Sequence, residues 1–425
     1  LSAQTLSPDE RRIKDAITAA REEQIAYLQR IVDIPSATLD TAGVKKVGAV
    51  FKATFDSLGF TTTWAVMPDS LRRAGHFIAD HRGKPGAVRI LLIGHLDTVV
   101  EPDGPTWVRQ DSMAAGVGSG DMKGGDVIIL YALKALAKAG KLKDMNVTVV
   151  FTGDEEAAGL PIEVSRRDLI HAAQRNDIAL AFEGGNRSDI TVGRRGASAW
   201  RVVATGRQAH SAGVFGNGAG FGAIYELARI LNAFREQFSN EQYLTMNTAT
   251  VVGGTDVVYD TVAVSGTTAS KLNIIPKAAV AHGDLRFISE EQKERTRARM
   301  REIVSHHLNG TGAEINFTDE YPAMSPTMGN ARLLAVYDSV SRALGYGAVE
   351  ALDPGRRGAG DVSFVAPLID GLDGLGPLGT GAHAPGERVS LRTLPMQTER
   401  AALLFYRLAS RPASQFTRTN SAGGH

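Results

Sequence analysis

Cysteine is missing altogether, which excludes disulfides and thiolate ligands and leaves imidazole and carboxylate as donors for any transition metal. No run of eighteen apolar residues occurs, so no segment reads as a membrane-spanning helix. An excess of charge of either sign is also lacking: 47 Lys and Arg stand against 46 Asp and Glu, without a basic stripe. Neither nucleic acid nor an acidic membrane is therefore an expected partner. What remains is an ordinary globular composition, 43% hydrophobic and 22% charged, over a length that predicts two or three domains. The numbering opens on Leu1 rather than Met, and Leu1-Ser2-Ala3 before Gln4 resembles the small-residue end of a secretory signal. A periplasmic or secreted protein is expected, with the cytoplasm as the other option.

The informative stretch runs from Val88 to Asp126. Ile90 to Ile93 is short and β-rich enough for a buried strand, and it delivers His95 and Asp97 at its carboxyl end. In open α/β sheets that edge borders the ligand crevice. A glycine-rich turn then carries Asp121 directly into a helical pattern, Gly124 to Ala139. Val147 to Phe151 repeats the grammar and delivers Glu155 and Glu156; Ile178 to Phe182 repeats it again and delivers Glu183.

Around these lie a helix over 9–32, another over Val44 to Leu58, and a strand in FTTTWAV. From Ser198 the strands alternate rather than run solid. Helices at 219–238 and 289–308 sit among strand candidates Leu244 to Val252, Val262 to Thr267, Ala279 to Arg286 and Ala313 to Thr318, which describes an inserted α+β layer. The solid pattern returns with helices 330–344 and Leu394 to Leu408. The expected organisation is a first α/β segment 1–195, an inserted domain 196–320, a second α/β segment 321–410 and a disordered tail 411–425.

Each site feature alone has a plain structural reading. A histidine near an aspartate is often a satisfied polar pair, Glu155-Glu156 is more telling but has a solvated acidic turn as its alternative, and Glu183 alone reads as a surface residue. Their convergence on one sheet edge is the stronger signal, because carboxylates gathered in a cleft repel and call for a cation. One histidine and three carboxylates exceed the usual three-residue catalytic zinc site and suggest two metals sharing Asp121. A second histidine is then needed downstream. His383, in GLGPLGTGAHAPGE, is the best candidate, against the alternative of a flexible loop residue.

The motifs HLDTV, GSGDMKGG, GDEE, FEGG, GRQAHSAG, LNIIP with DLRF, and GAHAPGE occur here in that order. Over roughly residues 20 to 410 the chain thereby resembles the two-zinc aminoacyl-amide hydrolases, which include glutamate carboxypeptidase, acetylornithine deacetylase, succinyl-diaminopimelate desuccinylase and the aminoacylases. Among these it is most similar to glutamate carboxypeptidase, through VTVVFTGDEE and SRRDLI.

The resemblance implies a mixed-sheet α/β/α catalytic domain with an inserted ferredoxin-like α+β lid that forms a homodimer. It implies two Zn²⁺, with Co²⁺ or Mn²⁺ as substitutes, one held by His95 and Glu183, the other by Glu156 and His383, with Asp121 bridging. Asp97 would accept a hydrogen bond from the His95 ring, and Glu155 would be the general base. His210 would reach the partner's site and stabilise the oxyanion. Arg286, Asn273 and Gly360 match substrate-binding positions, although Arg286 reads alternatively as a surface strand residue. The Asp121-Met122 peptide would be cis.

The expected activity is hydrolysis of a peptide or N-acyl bond beside a free carboxylate, on a small peptide or N-acyl amino acid. The rivals are an N-acyl amino acid deacylase or dipeptidase and, from another class, a metal-bound binding protein without turnover. Gly358-Ala359-Gly360-Asp361, Gly159-Leu160-Pro161 and Tyr321 depart from the family pattern. They leave glutamate specificity open, with Arg194, Arg195, Arg356 and Arg357 as candidates for a different acid-binding arrangement.

Overall fold

In the computed structural model, residues 5–384 and 386–416 are described. Leu1-Ser2-Ala3, on which the expectation of export rests, and positions 417–425 of the expected tail lie outside them. The chain forms two compact units, one from the described residues of Leu1–Gly193, Pro326–Arg356 and Gly360–His425, the other from Arg194–Ser325 and Arg357–Ala359.

The first unit opens with α1 (Pro8–Ala19) and α2 (Arg21–Val32), where the sequence pattern suggests one continuous helix; the helix is interrupted at Ala20, which ends α1 and starts α2. Ser7 caps α1 through a reciprocal box with Glu10, satisfying two otherwise orphaned backbone donors. Next come α3 (Thr41–Ser57), β1 (Thr61–Ala65), β2 (His76–His81), β3 (Arg89–His95), α4 (Lys123–Lys138), β4 (Asn146–Thr152), α5 (Arg167–Gln174) and β5 (Ile178–Ala181).

The second unit supplies β6 (Gly196–Gly206), α6 (Ala223–Phe238), β7 (Thr245–Gly254), β8 (Asp256–Asp260), β9 (Ser265–Ala269), β10 (Ala278–Phe287), α7 (Glu290–Ser305) and β11 (Thr311–Tyr321). The chain then returns to the first unit for α8 (Met328–Ala343), the short α9 (Val362–Val365), β12 (Asp370–Leu372) and α10 (Leu394–Ala409).

The main sheet of the first unit has the order β1-β2-β4-β3-β5-β12. β1, β2 and β4 pair antiparallel, whereas β4, β3, β5 and β12 run parallel. The parallel strands carry near-continuous apolar runs because both faces are covered. Ile90 and Leu92 join the large core with Phe51, Phe55, Phe77, Phe151 and the apolar side of α4, while Leu91 and Ile93 are equally buried on the opposite face. α4 is buried along most of its length, since α1, α2 and α10 pack on it from one side and β3 from the other.

In the second unit, β7-β10-β6-β11 form an antiparallel sheet with α6 and α7 on one face, over a core of Trp200, Phe234, Phe287 and Met300. Together the two units are an α/β fold with a mixed central sheet and a separate antiparallel-sheet domain, in line with the expected class. One element differs: the single strand expected at 262–267 is half of a hairpin, β8 with β9. The tail also differs over its described part. Residues 411–416 include a one-turn helix, Ala413–Gln415, because Phe416 supplies an apolar side chain that packs into the main core.

Candidate metal centre

Three parallel strands end level with one another. His95 pairs in register with Thr152, and Ile93 with Ala181, so the segments beyond these strands emerge at a single edge. They carry His95, Glu155 with Glu156, and Glu183. Asp121 arrives from the other direction, at the start of α4, and the Asp121-Met122 peptide is cis. The helix start approaches the β5 end so closely that a Cβ at Gly125 would lie 2.1 Å from the Phe182 carbonyl oxygen, a contact only glycine permits. His383 comes from the loop before α10 with a left-handed φ of 64°.

The side chains meet around Asp121. Its Oδ1 lies 3.3 Å from His95 Nε2, and its Oδ2 lies 3.1 Å from His383 Nε2. Each histidine has its own glutamate as well: Glu183 Oε1 is 3.8 Å from His95 Nε2, and Glu156 Oε2 is 3.3 Å from His383 Nε2. Three sets of donor atoms therefore cluster within 4.8 Å, namely His95/Asp121/Glu183, Asp121/Glu156/His383 and His95/Glu155/Glu156.

This donor set fits divalent metal. His95 Nδ1 lies 3.0 Å from the Asp97 carbonyl oxygen and 3.4 Å from its Oδ1, acceptors that fix the ring proton on that side. The Nε2 lone pair then faces Asp121 and Glu183, which offer only further lone pairs when ionised, and a cation seated among these donors would offset their repulsion. The crowding of acids also shifts their protonation. Burial, with the nearby charge of Asp121, pushes Glu156 up to about 8 and Glu183 well above the carboxylate range. His383 is raised to about 9 by its contact with Asp121. Nitrogen and oxygen donors without sulfur suit zinc, cobalt or manganese alike.

Residues around the cluster fix its geometry. Asp97, fully buried, accepts the backbone N–H of Glu155 at 3.0 Å and of Glu156 at 3.1 Å, and the Thr38 hydroxyl at 2.7 Å. It thus orients both the His95 ring and the acidic turn. Glu387 accepts three backbone N–H groups, from Gly118, Gly120 and Asp121, at 2.5–2.8 Å. Sequence reasoning missed Glu387, although it closes the GAHAPGE motif. It also missed Thr38, Asp154 and Arg166, for which nothing in the local pattern separates a buried polar partner from a surface one.

His210, Asn273 and Arg286 lie in the second unit. The exposed His210 begins a one-turn helix, its Nδ1 accepting the Ala212 N–H at 3.2 Å, and the Asn273 carbonyl accepts the next N–H, from Ser211, at 2.9 Å. Arg286 lies on β10, where its Nε donates to Asp284 at 2.7 Å. Both Arg286 and Tyr321 pair with Ala197 of β6, one from each side. Of the arginines suggested for acid binding, Arg194 is buried and donates to the Gly358 and Ala359 carbonyls at 2.6 Å, and Arg195 reaches the Thr245 hydroxyl at 3.1 Å. Arg356 sits in a one-turn helix, Pro354–Arg356, in the first unit. Gly360 lies just before Asp361, the N-cap of α9, and its carbonyl accepts the Ser363 N–H at 2.9 Å.

Residues 91–407 match the sequence profile of peptidase family M20/M25/M40. The chain belongs to this family. As a family member it is a metallohydrolase of peptide or N-acyl bonds, rather than a binding protein without turnover. It is 28% identical over 417 residues to carboxypeptidase G2 of Pseudomonas sp. (strain RS-16), covering 92% of this chain and 91% of the relative. Among solved structures it is similar to aminopeptidase PepT from Bacillus cereus, with a TM-score of 0.71, 16% identity, and coverage of 92% of this chain and 99% of that one. It is also similar to a dinuclear metal binding peptidase from the M20 family of Bacillus subtilis, with a TM-score of 0.62, 15% identity, and coverage of 92% and 98%.

Proposed function

We propose that this M20/M25/M40 hydrolase cleaves an amide bond next to a free carboxylate, in a small peptide or N-acyl amino acid, with two Zn²⁺ per chain. The observation that carries the reading is Asp121 set between His95 and His383, each histidine backed by its own glutamate. His95 and Glu183 would hold one ion, His383 and Glu156 the other, and Asp121 both. When bound, such a pair supplies the Lewis acidity that acidifies water and polarises the scissile carbonyl.

The chain's own residues do the rest. Glu155, adjacent to a ligand but not one itself, takes the proton of the attacking water at its carboxylate and passes it to the leaving nitrogen. Asp97 keeps the Glu155 backbone in place and holds the His95 tautomer. Arg286 binds the substrate carboxylate through its terminal nitrogens, because its Nε is occupied by Asp284, which fixes the plane of the guanidinium. His210 donates to the oxyanion, and the antiparallel-sheet domain pairs with that of a second copy. Similarity to carboxypeptidase G2 supports the carboxyl-side preference.

The test is hydrolysis of N-acyl amino acids and dipeptides by the zinc-loaded protein, with a chelated control. Turnover restricted to substrates with a free carboxylate beside the scissile bond is expected. Equal turnover of the corresponding amides or methyl esters would remove Arg286 from substrate recognition.

A further inference from the structure

Arg166 is completely buried, and its guanidinium reaches two buried aspartates. One terminal nitrogen donates to Asp154 Oδ1 at 2.7 Å, the other to the Asp154 carbonyl at 3.0 Å, while Nε lies 2.7 Å from Asp361 Oδ1. The remaining oxygens are engaged too. Asp154 Oδ2 accepts the Ser165 hydroxyl at 2.7 Å and the Gly159 N–H at 2.8 Å, and Asp361 Oδ2 accepts the Thr152 hydroxyl at 2.5 Å. The Phe364 ring covers the guanidinium, with its centroid 5.4 Å away.

A buried ionic triad of this kind is a weak source of stability, because well-packed apolar residues hold a fold as well or better. What apolar residues lack is direction. A planar fork bonded to both the carboxylate and the carbonyl of one residue fixes the rotation of that residue's backbone. Here that residue is Asp154, immediately before Glu155 and Glu156. The same turn is held from other sides, with Asp97 taking the N–H groups of Glu155 and Glu156. His76, also buried, accepts the Gly153 N–H through Nδ1 at 3.3 Å and contacts the Ser165 carbonyl through Nε2 at 2.7 Å.

We propose that Arg166 is a positioning residue that sets the orientation of the Glu155-Glu156 turn and, through Asp361, fastens it to the start of α9 beside Gly360. The proposal rests on the reading of Glu155 as base and Glu156 as ligand. Its consequence is specific: loosening the triad disturbs the second metal position and the chemical step, and leaves substrate affinity nearly alone.

The experiment uses Arg166→Lys, which keeps the charge but loses the fork, and Asp361→Asn, which weakens the distant anchor. Arg400→Lys serves as a control, since Arg400 is equally buried and donates instead to Gln397, Ser341 and the Arg187 carbonyl. Metal-free protein is titrated with Zn²⁺ by calorimetry, thermal unfolding is recorded, and kcat and KM are measured separately. The expected result for Arg166→Lys is about tenfold or greater weakening of one of two zinc-binding steps. Its kcat should fall about 100-fold with KM changed less than about threefold. Asp361→Asn should move the same quantities in the same direction by less.

The proposal is overturned if both variants bind zinc and turn over like the parent, or if Arg400→Lys, at equal loss of Tm, shows the same losses. Should Arg166→Lys fail to fold, Asp361→Asn decides by the same criteria. Absence of amide hydrolysis by the parent would sink the proposed function, while the zinc titrations would still decide the role of Arg166.

Discussion

Glu387 Oε1 accepts the backbone N–H of Asp121 at 2.8 Å, so the aspartate set between His95 and His383 is held by a residue four positions beyond His383. Substituting Glu387 by Gln turns an amide NH₂ toward N–H donors and breaks at least one of three contacts. We expect Zn²⁺ affinity to fall by about 10–100-fold with the secondary structure unchanged. Calorimetric titration of the metal-free variant, alongside its circular dichroism spectrum, checks both halves.

Glu155→Ala separates chemistry from binding. The base assignment predicts a loss of turnover of about 10²–10⁴-fold. Metal content, measured by mass spectrometry after dialysis, should stay at that of the parent. Activity near the parental level would transfer the proton-accepting role to another group.

Acid should act on the antiparallel-sheet domain through Glu226. Burial pushes its carboxyl up, but the Arg229 guanidinium, the Leu308 N–H and the Thr311 hydroxyl outweigh burial and hold it below the ordinary 4.5. A carboxylate lowered in the folded state stabilises fully above its unfolded value, and that contribution disappears as pH falls through the folded one. Glu226→Gln should therefore cost about 1–3 kcal/mol at pH 7 and flatten the decline in stability below pH 4.5. Denaturant melts between pH 3 and pH 7 test this, and parallel curves for parent and variant would count against it.

Phe51 lies at the centre of the aromatic cluster of the first unit, with ring centroids 5.0 Å from Phe151, 5.6 Å from Tyr27 and 6.5 Å from Phe55. Truncation to Ala leaves a cavity that this packed neighbourhood cannot close. A loss of about 3–5 kcal/mol is expected in chemical denaturation.

The sequence was legible where a pattern has one physical solution. Solid apolar runs ending in His95, Glu155-Glu156 and Glu183 are strands buried on both faces, and their ends share an edge because the strands are parallel. The fold class followed from that change of texture near Ser198. The break at Ala20 was not legible, since the apolar spacing of α1 and α2 continues across it. β2 is not legible because HFIADH has only three apolar residues, bounded by His76 and by Asp80-His81, which is neither a solid run nor a clean alternation. The partners of the site were hidden for another reason: Arg166 and Asp361 lie far apart in the chain, and only the folded sheet makes them neighbours.

The contact between Asp121 and Glu387 also sets an order of events during synthesis. The two residues are 266 positions apart, and the whole antiparallel-sheet domain is encoded between them. At ribosomal rates of about 5–20 residues per second, roughly 13–53 s separate their emergence. Until then Asp121 has no Glu387 to hold its turn, and His383 arrives only four residues earlier, so the cluster of Asp121 with His95 and His383 can only close on a chain whose second domain has already been made.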